Sequence, residues 1–265
     1  ARARDGALIP VSVVFRGDTP IDGTAPIVVY AYGAYEISMP ARFSVPRLSL
    51  LDRGAVYAIA HVRGGGEMGK AWYQRGKLAD KMNTFTDVID ATKHLTDAGY
   101  GDPGRVAVRG GSAGGLTVGA AVNLDPTSFT AVVAEVPFVD VVNTMLDESL
   151  PLTVVEWEEW GNPNRENEYG WLRAYAPYEN LTEVEYPSML ITAGLNDPRV
   201  QYWEPAKWAT ELRITTTGDR PILLKTEMGA GHFARSGRYD VWRDEAFVLA
   251  FILDELGVTS SWVAG

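Results

Sequence analysis

The sequence predicts an α/β fold: a mostly parallel central sheet with helices on both faces. Three observations predict it. Apolar runs alternate with helix-like patterns along the chain. The central runs are nearly unbroken in Val, Ile, Leu and Ala, as in strands covered on both faces. Helices between successive strands imply crossover connections, which join parallel neighbours. The spacing places strands at 11–15, 27–32, 56–60, 106–108, 131–136, 189–193 and 222–226. Helices are expected at 84–97, 113–124, 204–212 and 243–256. Asp102-Pro103-Gly104 reads as a turn feeding the fourth strand. The segment 140–186 is rich in Trp, Tyr, Glu, Asn and Pro and reads as an insertion over the strand ends. In such sheets a site forms at the carboxyl ends of the strands.

The chain has 265 residues, 46% of them hydrophobic, enough for one sizeable domain. Its longest apolar run, 247–253, is far short of the ~18 residues of a membrane span and reads as part of a buried helix. There is no Cys, which excludes disulfides, a thiol nucleophile and thiolate-bound metal. With no signal peptide at the start, this fits a reducing, cytoplasmic setting. The chain begins at Ala1, at what reads as a strand edge, as a domain of something longer would. A formal charge of −10 disfavours nucleic acid and suits cationic ligands.

The segment with most chemical content is Gly110-Gly111-Ser112-Ala113-Gly114, between a strand and a helix. A strand, a sharp turn bearing serine, then a helix is how an α/β-hydrolase fold presents a nucleophilic hydroxyl. Serine needs a base, and the base needs an orienting acid, in the chain order Ser, acid, His. Of His61, His94 and His232, only His232 follows Ser112. It lies in Gly229-Ala230-Gly231-His232, just past the last strand. His94 falls in a helical pattern, and His61 ends a strand on the wrong side of the serine. Among the intervening acids, Asp197 follows a strand and a Gly turn and reaches the same rim. Asp140 is the alternative. Ser112 would then attack a carbonyl, His232 would shuttle its proton, and Asp197 would fix the imidazole tautomer.

An oxyanion needs donors already in place. The Ala113 N–H is one. The second should come from the loop after the second strand, where Tyr30, Tyr32 and Tyr35 all offer hydroxyls. No metal site is expected, nor a phosphate loop, since Arg63-Gly64-Gly65-Gly66-Glu67 lacks the Lys-Ser/Thr ending. No cofactor is implied.

With these residues assembled, the chain resembles the catalytic domain of the prolyl oligopeptidase family of serine peptidases, and within it the oligopeptidase B branch. The shared stretches are Tyr30-Ala31-Tyr32-Gly33, Leu51-Asp52-Arg53-Gly54, His61-Val62-Arg63-Gly64-Gly65-Gly66-Glu67, Gly110 to Gly115, Asn196-Asp197-Pro198-Arg199-Val200 and Gly231-His232. Residues 136–140 through 160–163 point to the branch. The resemblance implies Tyr32 as the second oxyanion donor and Arg199 as a ligand for a substrate carbonyl. It also implies cleavage of short peptides after Arg or Lys, with Glu156 and Glu158 as the paired acids of the primary pocket. A guanidinium suits carboxylates in a fork, partly shielded from water.

Two departures matter. Where the branch often carries further acids after the oxyanion tyrosine, this chain has Ser38-Met39-Pro40-Ala41-Arg42. Cleavage after single basic residues, without a strong dibasic preference, is therefore expected. The family's N-terminal β-propeller, which screens substrates by size, has no counterpart in this sequence. The competing readings are a prolyl- or acylaminoacyl-type peptidase and a carboxylesterase on the same fold. Neither accounts for the acids at 156–159.

Overall fold

The computed structural model describes residues 1–232 and 237–258. Seven strands form one sheet in the order β1-β3-β2-β4-β5-β6-β7. They are β1 (Val11–Val14), β2 (Ile27–Tyr30), β3 (Val56–Ala60), β4 (Val106–Gly111), β5 (Ala131–Glu135), β6 (Ser188–Gly194) and β7 (Ile222–Glu227). β2 to β7 are parallel, and β1 pairs antiparallel with β3, Val11 opposite Ala60. The expected mostly parallel α/β sheet is present. Its main difference from expectation is that β4 continues through Arg109 and Gly110 to Gly111, so extended backbone runs right up to Ser112.

The helices are α1 (Val45–Leu51), α2 (Lys70–Gln74), α3 (Met82–Asp97), α4 (Ala113–Leu124), α5 (Val141–Leu146), α6 (Thr153–Trp160), α7 (Glu166–Tyr175), α8 (Trp203–Thr215) and α9 (Arg238–Glu255). Side chains alternate across a strand, so each strand feeds two cores. On one face Ile27, Val29, Val108 and Ile191 pack with Val88 of α3, Val122 of α4 and Trp208 of α8. On the other Val28, Ala107, Val133 and Leu190 pack with Leu50 of α1 and Ile252 of α9. This double cover explains the unbroken apolar runs. Each such residue is costly to truncate: Ile191, with no exposed surface, would lose about 2–5 kcal/mol on change to Ala.

A third core lies over the strand ends. Leu116 of α4 belongs to one buried cluster with Val141 and Met145 of α5, Trp160 of α6, and Leu172 and Tyr175 of α7. The segment expected as an insertion over the strand ends thus contains three short helices that share this core with α4. The sheet order places β2 beside β4, while β3 lies on the far side of β2. The chain changes direction there, and the loops after β2 and β4 diverge to leave a crevice.

Candidate active site

The turn between β4 and α4 puts Ser112 at φ 55° and ψ −119°, a region a side chain occupies at a cost of roughly 1–3 kcal/mol. The surroundings hold it there. The Ser112 N–H donates to the Glu135 carbonyl at 2.8 Å, and its carbonyl accepts from Gly115, Leu116 and Phe138. The flanking glycines are sterically required. A methyl on Gly110 would lie 2.2 Å from the Gly114 carbonyl oxygen, and one on Gly115 2.5 Å from the Pro137 side chain.

The loops after β6 and β7 bring the other two groups to the same rim. Asn196 N donates to the Ala230 carbonyl at 3.1 Å, which ties the two loops together. His232 Nε2 lies 3.1 Å from Ser112 Oγ, and His232 Nδ1 lies 2.7 Å from Asp197 Oδ2. Asp197 is only 4% exposed, and its other oxygen accepts from the Arg199 and Val200 amides at 2.8 and 3.0 Å. The carboxylate is therefore fixed by its own turn, and it fixes the ring. In this arrangement Nε2 can take the serine proton as Oγ attacks a carbonyl carbon, and can return it to a leaving amine.

The alternative candidates have other partners. Asp140 accepts from Asn143 and forms an ion pair with Lys207. His61 bridges Ser12 and Glu67 at 2.8 and 3.2 Å. His94 is exposed on α3.

A cleft of about 370 Å³ opens at Ser112, lined by Tyr32, Tyr35, Ala113, Phe138, Glu156 and Arg199 among others. Tyr30, the last residue of β2, lines a different cavity with Arg109 and Glu245. Tyr35 is committed, since its hydroxyl donates to Glu156 Oε2 at 2.9 Å. Tyr32 lines the cleft together with Ser112 and Ala113. Burial, with the charges of Glu156 and Glu159 added, pushes its hydroxyl up to about 12, so it stays protonated. Ala113 opens α4, where an amide has no acceptor in its own helix. Arg199 is exposed at the cleft edge.

The structure does not bring Glu156 and Glu158 together. Glu156 lines the cleft, its Oε2 held by Tyr35 and by Trp160 Nε1 at 2.7 Å. Glu158 is exposed and does not line the cleft. On a helix, residues two apart face different ways, whereas residues three apart share a face. The carboxylate on the Glu156 side is Glu159, 4% exposed and bonded to the Tyr35 amide at 3.0 Å and the Tyr73 hydroxyl at 2.6 Å. Once α6 is recognised as a helix, its period of 3.6 is the signal that separates the two.

Residues 41–259 match the profile of the Prolyl oligopeptidase family. The chain belongs to that family. Dipeptidyl aminopeptidase BI of Pseudoxanthomonas mexicana is 52% identical over 98% of this chain. Protease 2 of Moraxella lacunata is 49% identical over 97% of it. Oligopeptidase B from Leishmania major superposes with a TM-score of 0.97 at 45% identity, over 100% of this chain and 37% of that one. The chain spans 36% and 37% of the two curated relatives' own lengths. This prolyl oligopeptidase family fold is of the α/β-hydrolase type, with the Ser112 turn at the sheet's carboxyl edge.

Proposed function

We propose that this chain carries the catalytic centre of a serine oligopeptidase that cleaves short peptides after Arg or Lys. One observation carries the reading. The Ser112–His232–Asp197 relay opens into a cleft whose inner wall presents the Glu156 carboxylate. An arginine side chain lying along Phe138 would meet that carboxylate, and the scissile carbonyl would then rest against Ser112, Tyr32 and the Ala113 amide. Attack forms an acyl-enzyme on Ser112 Oγ and expels the amine. Water, deprotonated by His232, then releases the acid. Arg199 serves to hold a substrate carbonyl upstream of the cleaved bond.

Glu158 has no place in this pocket, which rests on one carboxylate in direct contact. Pro40 and Arg42 replace acids that would favour a second basic residue, and both are exposed. Single basic residues should therefore suffice. The remaining length of the relatives suits a size-screening β-propeller elsewhere in the protein. Similarity to a dipeptidyl aminopeptidase favours a second reading, removal of dipeptides from an amino terminus.

The test is hydrolysis of matched peptide amides bearing Arg, Lys, citrulline or Phe before the cleaved bond, each with a free and an acetylated amino terminus. Rapid Arg and Lys cleavage that vanishes in Ser112→Ala and falls at least tenfold in Glu156→Gln supports the proposal. Equal rates on Arg and citrulline would overturn it. Cleavage confined to free-terminus peptides, two residues in, would select the dipeptidyl reading. Adding a second arginine upstream should change kcat/KM by less than about threefold. A much larger gain would remove the single-basic expectation.

A further inference from the structure

The loop that follows β2 carries both Tyr32 and Tyr35, and its backbone is unusual. Tyr35 and Glu36 both have φ of 58°, in the left-handed region that glycine favours. Two consecutive side-chain-bearing residues hold that conformation only where the surroundings impose it. Here buried groups do so. Thr117 Oγ1 donates to the Tyr32 carbonyl at 2.7 Å. The Lys81 ammonium, fully buried, donates to the carbonyls of Gly33 and Gly76. Glu159 accepts the Tyr35 amide with Oε1.

Glu159 is held in turn. Its Oε2 accepts from the Tyr73 hydroxyl, which itself accepts from Lys77 Nζ at 2.7 Å, and Lys77 Nζ stands 4.0 Å from Glu159. Tyr73 cannot readily turn its proton elsewhere, because a lysine ammonium only donates. The relay therefore runs from Lys77 through Tyr73 and Glu159 to the Tyr35 backbone. From Tyr35 the side chain continues it: the hydroxyl donates to Glu156 Oε2, and the ring stands edge-on to Trp160, the other donor to that oxygen. One tyrosine is thus gripped by two glutamates three residues apart on α6, by its amide from one and its hydroxyl from the other.

We infer that Glu159 is a positioning residue for the specificity pocket: it fixes Tyr35, and through Tyr35 the orientation in which Glu156 meets a cationic side chain. This rests on the basic-residue reading above and adds a residue that never touches substrate. Glutamine at 159 keeps the volume but offers one acceptor where two donors converge, so one of the two anchors is lost. The Glu156 carboxylate would remain in the cleft with a less defined direction. The loss should fall on recognition of the guanidinium and spare the nucleophile.

The experiment compares kcat/KM on an Arg peptide amide and its neutral citrulline counterpart in the purified protein and in Glu159→Gln, Glu156→Gln and the double variant. Rates of fluorophosphonate labelling at Ser112 are measured in parallel. The Arg-to-citrulline ratio should fall about tenfold in Glu159→Gln, the value of one charge-assisted hydrogen bond. Labelling should stay within about twofold. In the Glu156→Gln background the second change should alter the ratio no further, because both act through one carboxylate. Should Glu159→Gln not fold, Tyr73→Phe loosens the same anchor and should shift the ratio in the same direction by less. An unchanged ratio, equal losses on both substrates, or additive losses in the double variant would each overturn the inference. If the unsubstituted protein itself fails to prefer Arg over citrulline, the basic-residue reading fails and this one falls with it. An intact preference that Glu159→Gln leaves untouched removes Glu159 alone.

Discussion

In the proposed mechanism the rate depends on Tyr32 directly, because a donor aimed at developing charge acts only in the transition state. Tyr32→Phe should lower kcat by about 10²–10³-fold with KM little changed, the usual cost of one oxyanion donor. The phenol must be protonated to donate. A phenol of ordinary acidity would begin to fail near pH 10. Burial moves this one to about 12, so kcat should show no falling limb from it as pH rises from 8 to 10. A kcat–pH profile with and without the hydroxyl checks both statements. Asp197→Asn should cost roughly 10³–10⁴-fold in kcat while the chain stays folded, since in the proposed mechanism the carboxylate holds the His232 tautomer. A loss of less than tenfold would mean that another group holds the ring.

At the scale of elements, the cleft wall depends on a carboxyl that never reaches the cleft. Glu204, near the start of α8, is fully buried and accepts from the amides of Val139 and Asp140 at 3.0 Å each and from Thr144 Oγ1 at 2.8 Å. It thereby pins the loop leading into α5, whose Thr144 and Met145 line the cleft. Burial dominates over these hydrogen bonds and, with Asp140 nearby, pushes the group up to about 8. The folded chain thus binds a proton here that the unfolded chain releases near 4.5. Stability from this group is present below about pH 4.5 and is lost as pH rises through about 8. Glu204→Gln preserves the shape and both hydrogen bonds from the Val139 and Asp140 amides, while its own amide donates to Thr144 Oγ1 in place of accepting from it. It should match the parent within about 1 kcal/mol at pH 5 and exceed it by a few kcal/mol at pH 9. Urea unfolding midpoints at the two pH values test this; a difference independent of pH would contradict it. The same elements show what could be read in advance. The strands were legible because burial on both faces leaves unbroken runs of Val, Ile, Leu and Ala. Ser112, Asp197 and His232 were legible because each stands just past such a run. Helices α5, α6 and α7 were not. They are short, and Thr153-Val154-Val155 opens α6 with three β-branched residues, so burial of Trp160, Leu172 and Tyr175 in the core they share with α4, more than local preference, holds them. Without the helix, the pairing of Glu156 with Glu158 rested on the resemblance alone. Nothing in the sequence marks Tyr35 as the bridge between them.

At the scale of the whole chain, the formal charge of −10 would act on a cationic substrate of the proposed kind as Glu156 would, but over a longer range. A cationic peptide is drawn toward an acidic surface before any contact forms, and this raises the encounter rate. In the proposed pocket Glu156 would contribute only once the side chain is seated. Salt separates the two effects, because the screening length shrinks from about 30 Å at 0.01 M to about 10 Å at 0.1 M, while a partly shielded pair at contact is screened much less. The kcat/KM for an Arg peptide should therefore fall about three- to tenfold between 10 and 300 mM salt in a regime where chemistry does not limit, flagged by a solvent-viscosity dependence. A citrulline peptide of otherwise neutral charge should show little slope. Glu156→Gln should lower the Arg value at every salt concentration and leave most of the slope, since it removes one charge of many. If the slope disappears with Glu156, a single contact at the pocket accounts for the whole attraction and the acidic surface serves solubility alone. If the slope survives while the Arg-to-citrulline ratio collapses, the surface gathers cationic peptides and the pocket chooses the bond.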